Sequence, residues 1–361
     1  MKKRIAAILL GIAMLFSLCA CAAEDGEDDV FTAAIMLPGV QSENATFDMY
    51  VKGIQKALDE NGGSELKVIE GGASTINYSR YLKELAESEE YDVVFTCTNT
   101  VTSILLDIAA QYPDQKFAIV KGDLSNLTET IPSNIYAVEF DSYEEGFLGG
   151  YFCSLVTGSD MPRANAELAV GVMFPSVTAT WQEQALPGFK YGAELANPDV
   201  KVHCLLVNSW TDITKGQDIA RALMALGVDT IWYSTGASCY GAVLEAQDKG
   251  CYAVASDHNA IDFDAVGETI VGCNITDGTT ATYKVAKEIM DGSAPFGTQE
   301  YWGAKESVIT FTWDDPVYLQ YVPEEIRNAM SDIYAKMQSG EINVREYIKA
   351  HPEYIEQLDD E

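Results

Sequence analysis

The sequence predicts an α/β protein built from two similar lobes, each a mostly parallel β-sheet flanked by helices. Three observations support this prediction. Short apolar runs alternate with amphipathic helical stretches from residue 31 to about residue 275, which is typical of parallel sheets covered by helices. A polar break at residues 157–167 divides the pattern into two sets of similar size. The second set follows without a linker, which favours two lobes that face one another across a cleft.

The first set contains five predicted strands and the helices between them. The strands are expected at residues 31–37, 66–71, 91–97, 116–120 and 135–140. Apolar residues at helical spacing predict helices near residues 46–61, 77–89 and 100–111. The first lobe is therefore placed at residues 31–160.

A further helix is predicted for YEEGFLGGYFCSL, residues 143–155, where apolar residues recur at helical spacing. This stretch also carries Gly146, Gly149 and Gly150. Each glycine costs about 1 kcal/mol relative to alanine in a helix interior. A helix that carries three glycines therefore needs a structural reason.

The second set repeats the pattern and defines a second lobe at residues 161–300. Its strands are expected at residues 168–174, 200–207, 229–235, 251–256 and 269–275. Its helices are expected near residues 180–195, 214–226 and 237–249. A strand at 305–313 is expected to return to the first lobe, and a C-terminal helical segment at 314–361, which contains an amphipathic helix at 323–340, is expected to return with it.

The N-terminus has the features of a bacterial export signal. Basic MKKR precedes an apolar stretch of fourteen residues that ends in LCAC, residues 18–21, which is too short to span a membrane comfortably. LCAC resembles a lipobox, and the resemblance implies cleavage before Cys21 and attachment of a lipid to it. Residues 22–30 are then a polar tether. The alternatives are a plain secretory signal and an uncleaved anchor.

Charge and cysteine content exclude several classes of protein. The formal net charge of −32 argues against nucleic acid as a partner and makes an anionic ligand less favourable. Six cysteines follow the signal, and most lie in apolar segments, so we expect buried free thiols. The spacing of cysteines and of the three histidines matches no metal site.

Candidate binding residues follow the predicted strands, because ligands of open α/β sheets bind at the carboxyl ends of the strands. GASCYG, residues 236–241, offers backbone amides to a ligand oxygen, or is simply a tight turn. Asp257 follows another strand and is interpreted as a hydrogen-bond acceptor or as a helix cap. Cys239 lacks a histidine partner that would make it a nucleophile. Nucleotide-binding loops, nucleophile elbows and zinc-protease motifs are absent from the sequence.

Four segments together resemble the basic membrane protein family, whose purine-nucleoside-receptor members are substrate-binding lipoproteins of ABC importers. The segments are NIYAVEFDSYEEGFLGGYFCSL, PGFKYGAELANPDVKV, residues 210–257 and GEINV. The resemblance covers about residues 31–345. It implies a two-lobe, type I periplasmic-binding-protein-like fold with a hinged cleft, and it places the glycine-bearing helix near the hinge, packed against the sheet.

The resemblance also implies ligand-binding residues. Asp257 matches the acidic residue that binds ribose hydroxyls, and Gly236 matches the turn glycine. Phe47 and Trp181 correspond to the stacking aromatic residues, and Asn99 corresponds roughly to the polar residue after the third strand.

Two positions depart from the family pattern. Lys121 stands where the family often has an aspartate that reads the base. Thr276, followed by Asp277, stands near the family's lysine in the loop after the last second-lobe strand. Lys121 thus places a positive charge where the family has a hydrogen-bond acceptor, and the positive charge of the family's lysine is missing near Thr276. A nucleoside therefore need not bind in the pose that is usual in the family.

The sequence thus predicts a lipid-anchored solute-binding protein on the extracytoplasmic face of the cell membrane, with neither catalytic residues nor a cofactor or metal. It would pass a small polar ligand, by resemblance a purine nucleoside, to an ABC permease and ATPase on separate chains. Alternatives are the same role with a sugar, carboxylate or other metabolite, and a sensor that acts on a signalling receptor. A nucleoside hydrolase is disfavoured because no acid–base pair is apparent.

Overall fold

The computed structural model of the protein describes residues 30–256, 266–355 and 358. The predicted signal peptide, Cys21 and the tether up to residue 29 lie outside these residues, as does Asp257. Within the described part, the chain forms two sheets of six strands each, flanked by helices. This confirms the predicted α/β class and its two lobes.

The first sheet is fully parallel, with the strand order β11-β5-β4-β3-β1-β2. Its strands are β1 (Ala33–Leu37), β2 (Lys67–Glu70), β3 (Val93–Cys97), β4 (Lys116–Val120), β5 (Ile135–Phe140) and β11 (Thr298–Trp302). The central strands β1 and β3 are buried along their whole length. This explains why they appear in the sequence as continuous apolar runs rather than as alternating patterns.

The second sheet has the order β12-β10-β9-β8-β6-β7 and is parallel except for β12. Its strands are β6 (Ala169–Phe174), β7 (Lys201–Leu206), β8 (Val228–Tyr233), β9 (Tyr252–Ala255), β10 (Ile270–Thr276) and β12 (Ile309–Phe311). In both sheets the carboxyl ends of the parallel strands meet at one edge, and this edge positions the candidate site.

The described residues form eleven α-helices. They are α1 (Ala45–Asn61), α2 (Thr75–Ser88), α3 (Thr102–Gln111), α4 (Ser142–Thr157), α5 (Leu186–Ala196), α6 (Ile213–Ala225), α7 (Cys239–Lys249), α8 (Gly278–Met290), α9 (Pro316–Tyr321), α10 (Glu324–Ser339) and α11 (Val344–Ala350). Within the described residues, none is long and apolar enough to cross a membrane.

The chain passes between the lobes three times, and these passages correct the predicted lobe boundaries. It leaves the first sheet at Asp141, returns at Asp277 and leaves again between β11 and β12. The predicted return of residues 305–313 to the first sheet is wrong, because β12 pairs antiparallel with β10 of the second sheet. Instead β11, which the sequence did not predict, joins the first sheet beside β5. We call the three passages the hinge region.

Two helices lie with the opposite lobe from the one predicted. α4, expected in the first lobe, packs on α5 and on β8 of the second lobe. α8, which falls inside the expected second lobe, packs on α1 of the first lobe, where Thr282 Oγ1 donates to the Tyr50 carbonyl at 3.0 Å. In both cases the chain leaves a strand of one lobe, passes through the hinge region and then forms a helix of the other lobe. Sequence order alone therefore assigns the helix to the lobe of the preceding strand.

The glycines of α4 do allow a close approach, but mainly to a helix. A Cβ atom at Gly146 would overlap the backbone of Ala185, and one at Gly150 would overlap the backbone of Phe189 in α5. Only Gly149 faces the sheet, where a Cβ would meet the Trp232 ring at 2.7 Å. The helix thus packs against a sheet as expected, but it is the second sheet, and α4 also makes a tight contact with α5 inside the second lobe.

The C-terminal helices belong to the second lobe rather than to the first. α10 and α11 both pack against α4. Tyr334 of α10 donates a hydrogen bond to the carbonyl of Ile309 in β12 at 3.0 Å. Tyr347 of α11 stacks on Tyr191 of α5, with ring centroids 3.9 Å apart.

Candidate functional site

Phe47 lies where the loop after β1 enters the first lobe's helix α1. Asn44 caps this helix by accepting from the Thr46 amide at 2.9 Å. The cap places Phe47 in the first turn, and its ring packs so closely on Gly39 that a Cβ there would overlap it. The ring is almost completely buried, so in this conformation Phe47 offers little surface to a ligand.

Asn99 and Lys121 lie on adjacent loops at the carboxyl edge of the first sheet. The exposed Asn99 follows β3, and its Oδ1 accepts from the Asp123 amide at 2.7 Å, which ties the loops after β3 and β4 together. Lys121 directly follows β4 with a left-handed backbone, φ 58°. Its Nζ lies 5.8 Å from the centre of the Phe140 ring. Both predicted residues thus lie together at the carboxyl edge of the first sheet, and their contact with a ligand stays a prediction.

Trp181 lies at the corresponding edge of the second lobe. It belongs to a π-helical turn, Thr180–Ala185, that directly precedes α5. Its indole stacks on Phe174, the last residue of β6, with ring centroids 4.9 Å apart and an interplanar angle of 21°. Phe174 in turn meets Trp232 edge to face at 5.8 Å. Trp181 is thus a partly exposed ring held in place by buried aromatic residues.

Gly236 opens the turn after β8 with a left-handed φ of 58°. A Cβ at this position would lie 2.8 Å from the Trp210 carbonyl and 3.1 Å from its ring, so the glycine permits both the turn and the contact. The Ser238 amide donates to the Trp210 carbonyl at 3.2 Å, which joins the loops after β7 and β8. Trp210 itself is 53% exposed, and it is a further aromatic candidate beside the predicted glycine.

The remaining predicted positions differ in accessibility. Thr276 is the last residue of β10 and is buried. Asp277 caps α8, accepting from the Thr280 amide at 2.9 Å. The side chain of Asp277 therefore stabilises the start of α8, where the chain passes back to the first lobe. Whether Asp257 meets the ligand remains a prediction, because that residue is not described.

A buried polar network lies behind the second-lobe edge, and the sequence analysis missed it. Asn274 of β10 accepts from the Trp232 indole at 3.1 Å and donates to the Glu145 carbonyl at 3.1 Å. The Glu145 carboxylate accepts from Ser256, the last described residue before 257. The members of this network come from α4, β8, β10 and the residue after β9, which sequence spacing does not reveal.

The titratable groups give no support to nucleophilic chemistry. Burial raises the pKa of the Cys239 thiol to about 11, so the reactive thiolate is scarce at neutral pH. All six described cysteines are free thiols, as the sequence predicted, but Cys204 and Cys239 are only partly buried. Within residues 30–256 and 266–355, no group of histidine, cysteine and acidic side chains is arranged to hold a metal ion.

Residues 31–343 match the profile of a protein family described as ABC transporter substrate-binding protein PnrA-like, or Bmp. The chain belongs to this family. The basic membrane protein A1 of Borrelia garinii subsp. bavariensis is 21% identical over 92% of this chain and 93% of its own length. A purine-binding protein of Brucella abortus is 25% identical over 80% of this chain and 76% of its own length.

Solved structures of solute-binding proteins have the same fold as this Bmp-family chain. A solute-binding protein of an ABC transporter system from Conexibacter woesei superposes with a TM-score of 0.67 at 17% identity, covering 87% of this chain and 98% of its own. One from Aeropyrum pernix gives a TM-score of 0.65 at 19% identity, covering 87% and 92%. The predicted resemblance is thereby confirmed at the level of family and fold.

Proposed function

We propose that this chain captures a purine nucleoside between its two lobes and delivers it to an ABC permease, as a lipoprotein anchored through Cys21 outside the cytoplasm. The arrangement of Trp181 is the observation that carries the proposal. The ring stacks on Phe174 at 4.9 Å and remains partly exposed near the carboxyl edge of the second sheet, and planar ligands bind well to such a surface. The purine-binding relative from Brucella abortus supports the same ligand class.

The two lobes also explain how binding leads to transport. Ligand contacts from both lobes favour the closed form, because a ligand shifts an equilibrium by its differential affinity for the two states. Asn99 and Lys121 on one side and Trp181 and Gly236 on the other supply such contacts. Closure around the hinge region then creates the form that a permease recognises.

The test is a melting experiment on residues 22–361 after unfolding and refolding to remove bound ligand. Inosine, guanosine, adenosine, free bases, sugars and amino acids are compared. A ligand at about 100 times its dissociation constant stabilises the protein by roughly 2.7 kcal/mol. A shift with a nucleoside, and one-to-one binding without release of free base, is the expected result. A response confined to sugars, carboxylates or amino acids would overturn the nucleoside assignment, and release of free base would overturn the transport role.

The matched variants are Trp181→Ala and Tyr321→Ala. Both remove a partly exposed aromatic ring, but Tyr321 lies at the end of α9, away from the strand ends of the cleft. Trp181→Ala should weaken nucleoside binding about fivefold or more, since loss of one stacked ring costs about 1 to 3 kcal/mol. Tyr321→Ala should leave the dissociation constant unchanged.

A further inference from the structure

Glu139 occupies a position at the cleft edge that the sequence analysis passed over. It is the penultimate residue of β5, and its Oε1 accepts from the amide of the next residue, Phe140, at 2.9 Å. The neighbouring strand β4 ends at Val120, opposite Val138. Lys121 then donates its amide to the Val138 carbonyl at 2.8 Å and turns away in the left-handed region.

The side of β5 that the Glu139 carboxyl covers follows from these bonds. The Val138 carbonyl faces β4, so the Phe140 amide, two residues on, points the same way. Asp141 instead donates its amide to Trp302 of β11 at 2.9 Å, on the other side. The carboxyl group of Glu139 therefore lies in the space just beyond the end of β4. This is the carboxyl edge of the sheet, where ligands of such folds bind.

One oxygen of this carboxyl group has no partner. Among the described residues, Glu139 Oε2 is buried and accepts no hydrogen bond. The nearby Asp123 differs, because its Oδ1 accepts from Gln299 at 2.7 Å and from the Ser125 amide at 2.8 Å. Buried polar atoms almost always find a partner, and an exception calls for an explanation such as a bound water, ion or ligand.

The charges around Glu139 define what can approach that oxygen. Burial away from water raises the pKa of Glu139 to about 7, and the negative charge of Asp123 adds to this rise. The Phe140 amide and the positive charges of Lys121 and Arg345 lower the pKa in part. The carboxyl group is thus neither locked in an ion pair nor permanently protonated. A donor on a neutral ligand is suited to it, because its hydrogen bond to a carboxylate is charge-assisted.

We propose that Glu139 determines ligand specificity by accepting, through Oε2, the lactam N–H of a 6-oxopurine nucleoside. The inference rests on the proposed function and narrows it to inosine- and guanosine-like ligands. A lactam N–H is more acidic than the exocyclic amine of adenine, so it forms the stronger hydrogen bond with a carboxylate. The adjacent ring carbonyl is an acceptor, which the positive field of Lys121 and Arg345 favours.

The experiment compares inosine with 1-methylinosine, which lacks the N–H, on residues 22–361. The native chain should bind inosine at least tenfold more tightly than 1-methylinosine, and more tightly than adenosine. Glu139→Gln, which keeps the size of the side chain, should weaken inosine binding about tenfold. Glu139→Ala removes the acceptor and makes room for the methyl group, so the two ligands should then bind within about twofold of each other.

Glu300→Gln is the control. Glu300 lies on the next strand of the same sheet, but its carboxylate accepts from Tyr136 at 2.8 Å and from Trp302 at 3.0 Å, away from the cleft edge. This variant should keep the native preference for inosine. Melting temperatures of all variants confirm that they are folded.

The outcomes separate this inference from the proposed function. If nucleosides bind but inosine and 1-methylinosine bind equally, or if Glu139→Gln binds inosine like the native chain, the role of Glu139 is overturned and the function stands. If no nucleoside binds, the proposed function fails, and the role of Glu139 fails with it.

Discussion

Arg345 forms an ion pair with Asp141 in the hinge region, with its Nε 2.8 Å from Asp141 Oδ2. Asp141 joins β5 to α4 and caps that helix, accepting from the Tyr143 amide at 3.0 Å. The guanidinium group also lies 3.7 Å from the centre of the Tyr301 ring in the first sheet and 5.0 Å from that of Tyr143 in the second lobe. One side chain of α11 thus contacts both lobes where the chain passes between them.

Replacing Arg345 with methionine should destabilise the protein by about 3 kcal/mol, because Asp141 would be left as a buried charge without its partner. Chemical denaturation of the ligand-free protein measures the change. Lys349→Met is the control, since its pair with Glu346 at 3.2 Å is largely exposed and is worth less than about 1 kcal/mol. Equal losses in the two variants would contradict a structural role for the hinge pair.

The contact between α4 and α5 predicts an unusually costly substitution. A Cβ at Gly150 would overlap the Phe189 backbone, and the backbone cannot move aside as a side-chain tip can. Although alanine is the better helix former, Gly150→Ala should destabilise the protein by about 3 kcal/mol or more, as overpacking does in tight cores.

Gly158→Ala provides the comparison for this substitution. Gly158 ends the same helix with an ordinary φ of −83°, and a Cβ there would lie 3.2 Å from its nearest neighbour, the Ser154 carbonyl. We expect a loss below about 1 kcal/mol, because only a small shift is needed. Denaturation midpoints measure both variants, and a tolerated Gly150→Ala would refute the packing argument.

The alternation of strands and helices could be predicted from the sequence because buried parallel strands produce continuous apolar runs. The runs at 116–120 and 135–140 coincide with β4 and β5. β11 was missed because TQEYW contains a glutamine and a glutamate, and Glu300 is satisfied by a distant Tyr136. The placement of α4 in the second lobe and of α8 in the first depends on tertiary packing, which local sequence patterns do not determine.

The sequence predicted those site residues that can be recognised from their own loop alone. Lys121, Trp181 and Gly236 lie at strand ends, where the rule for open sheets places them. Glu139 was missed because it lies inside a predicted strand, and its importance depends on where β4 ends beside it. A signal was present, since a carboxylate in an otherwise apolar run, IYAVEF, needs a reason to be there.

The cysteines predict low thiol reactivity in the folded protein. Burial raises the pKa of Cys251 to about 11 and that of Cys97 and Cys153 further still. At pH 8 a thiol reagent should therefore react slowly with native residues 30–361, and fully with six thiols in denaturant. Cys204 on the edge strand β7 is only partly buried and should react first. Rapid modification of Cys97 in the native state would contradict the described burial.

Two carboxyl groups at the cleft and hinge should make the protein less stable as the pH rises from 5.5 to 8.5. The pKa of Glu139 is raised to about 7, and burial beside Asp141 raises the pKa of Glu144 as well. A carboxyl group with a raised folded pKa stabilises the native state at low pH, and this stability is lost as pH rises through the folded pKa.

Glu139 alone should account for about 2 to 3 kcal/mol of this loss, because each unit of pKa shift is worth about 1.4 kcal/mol. The melting temperature of the ligand-free chain, measured across this pH range, should fall with pH. Glu139→Gln and Glu144→Gln should each flatten the curve and raise stability at pH 8.5, whereas Glu65→Gln, at an exposed position, should leave it unchanged. A native curve that stays flat over this range would mean that both carboxyl groups are solvated and have ordinary pKa values. The Oε2 atom of Glu139 would then be in contact with water before any ligand arrives.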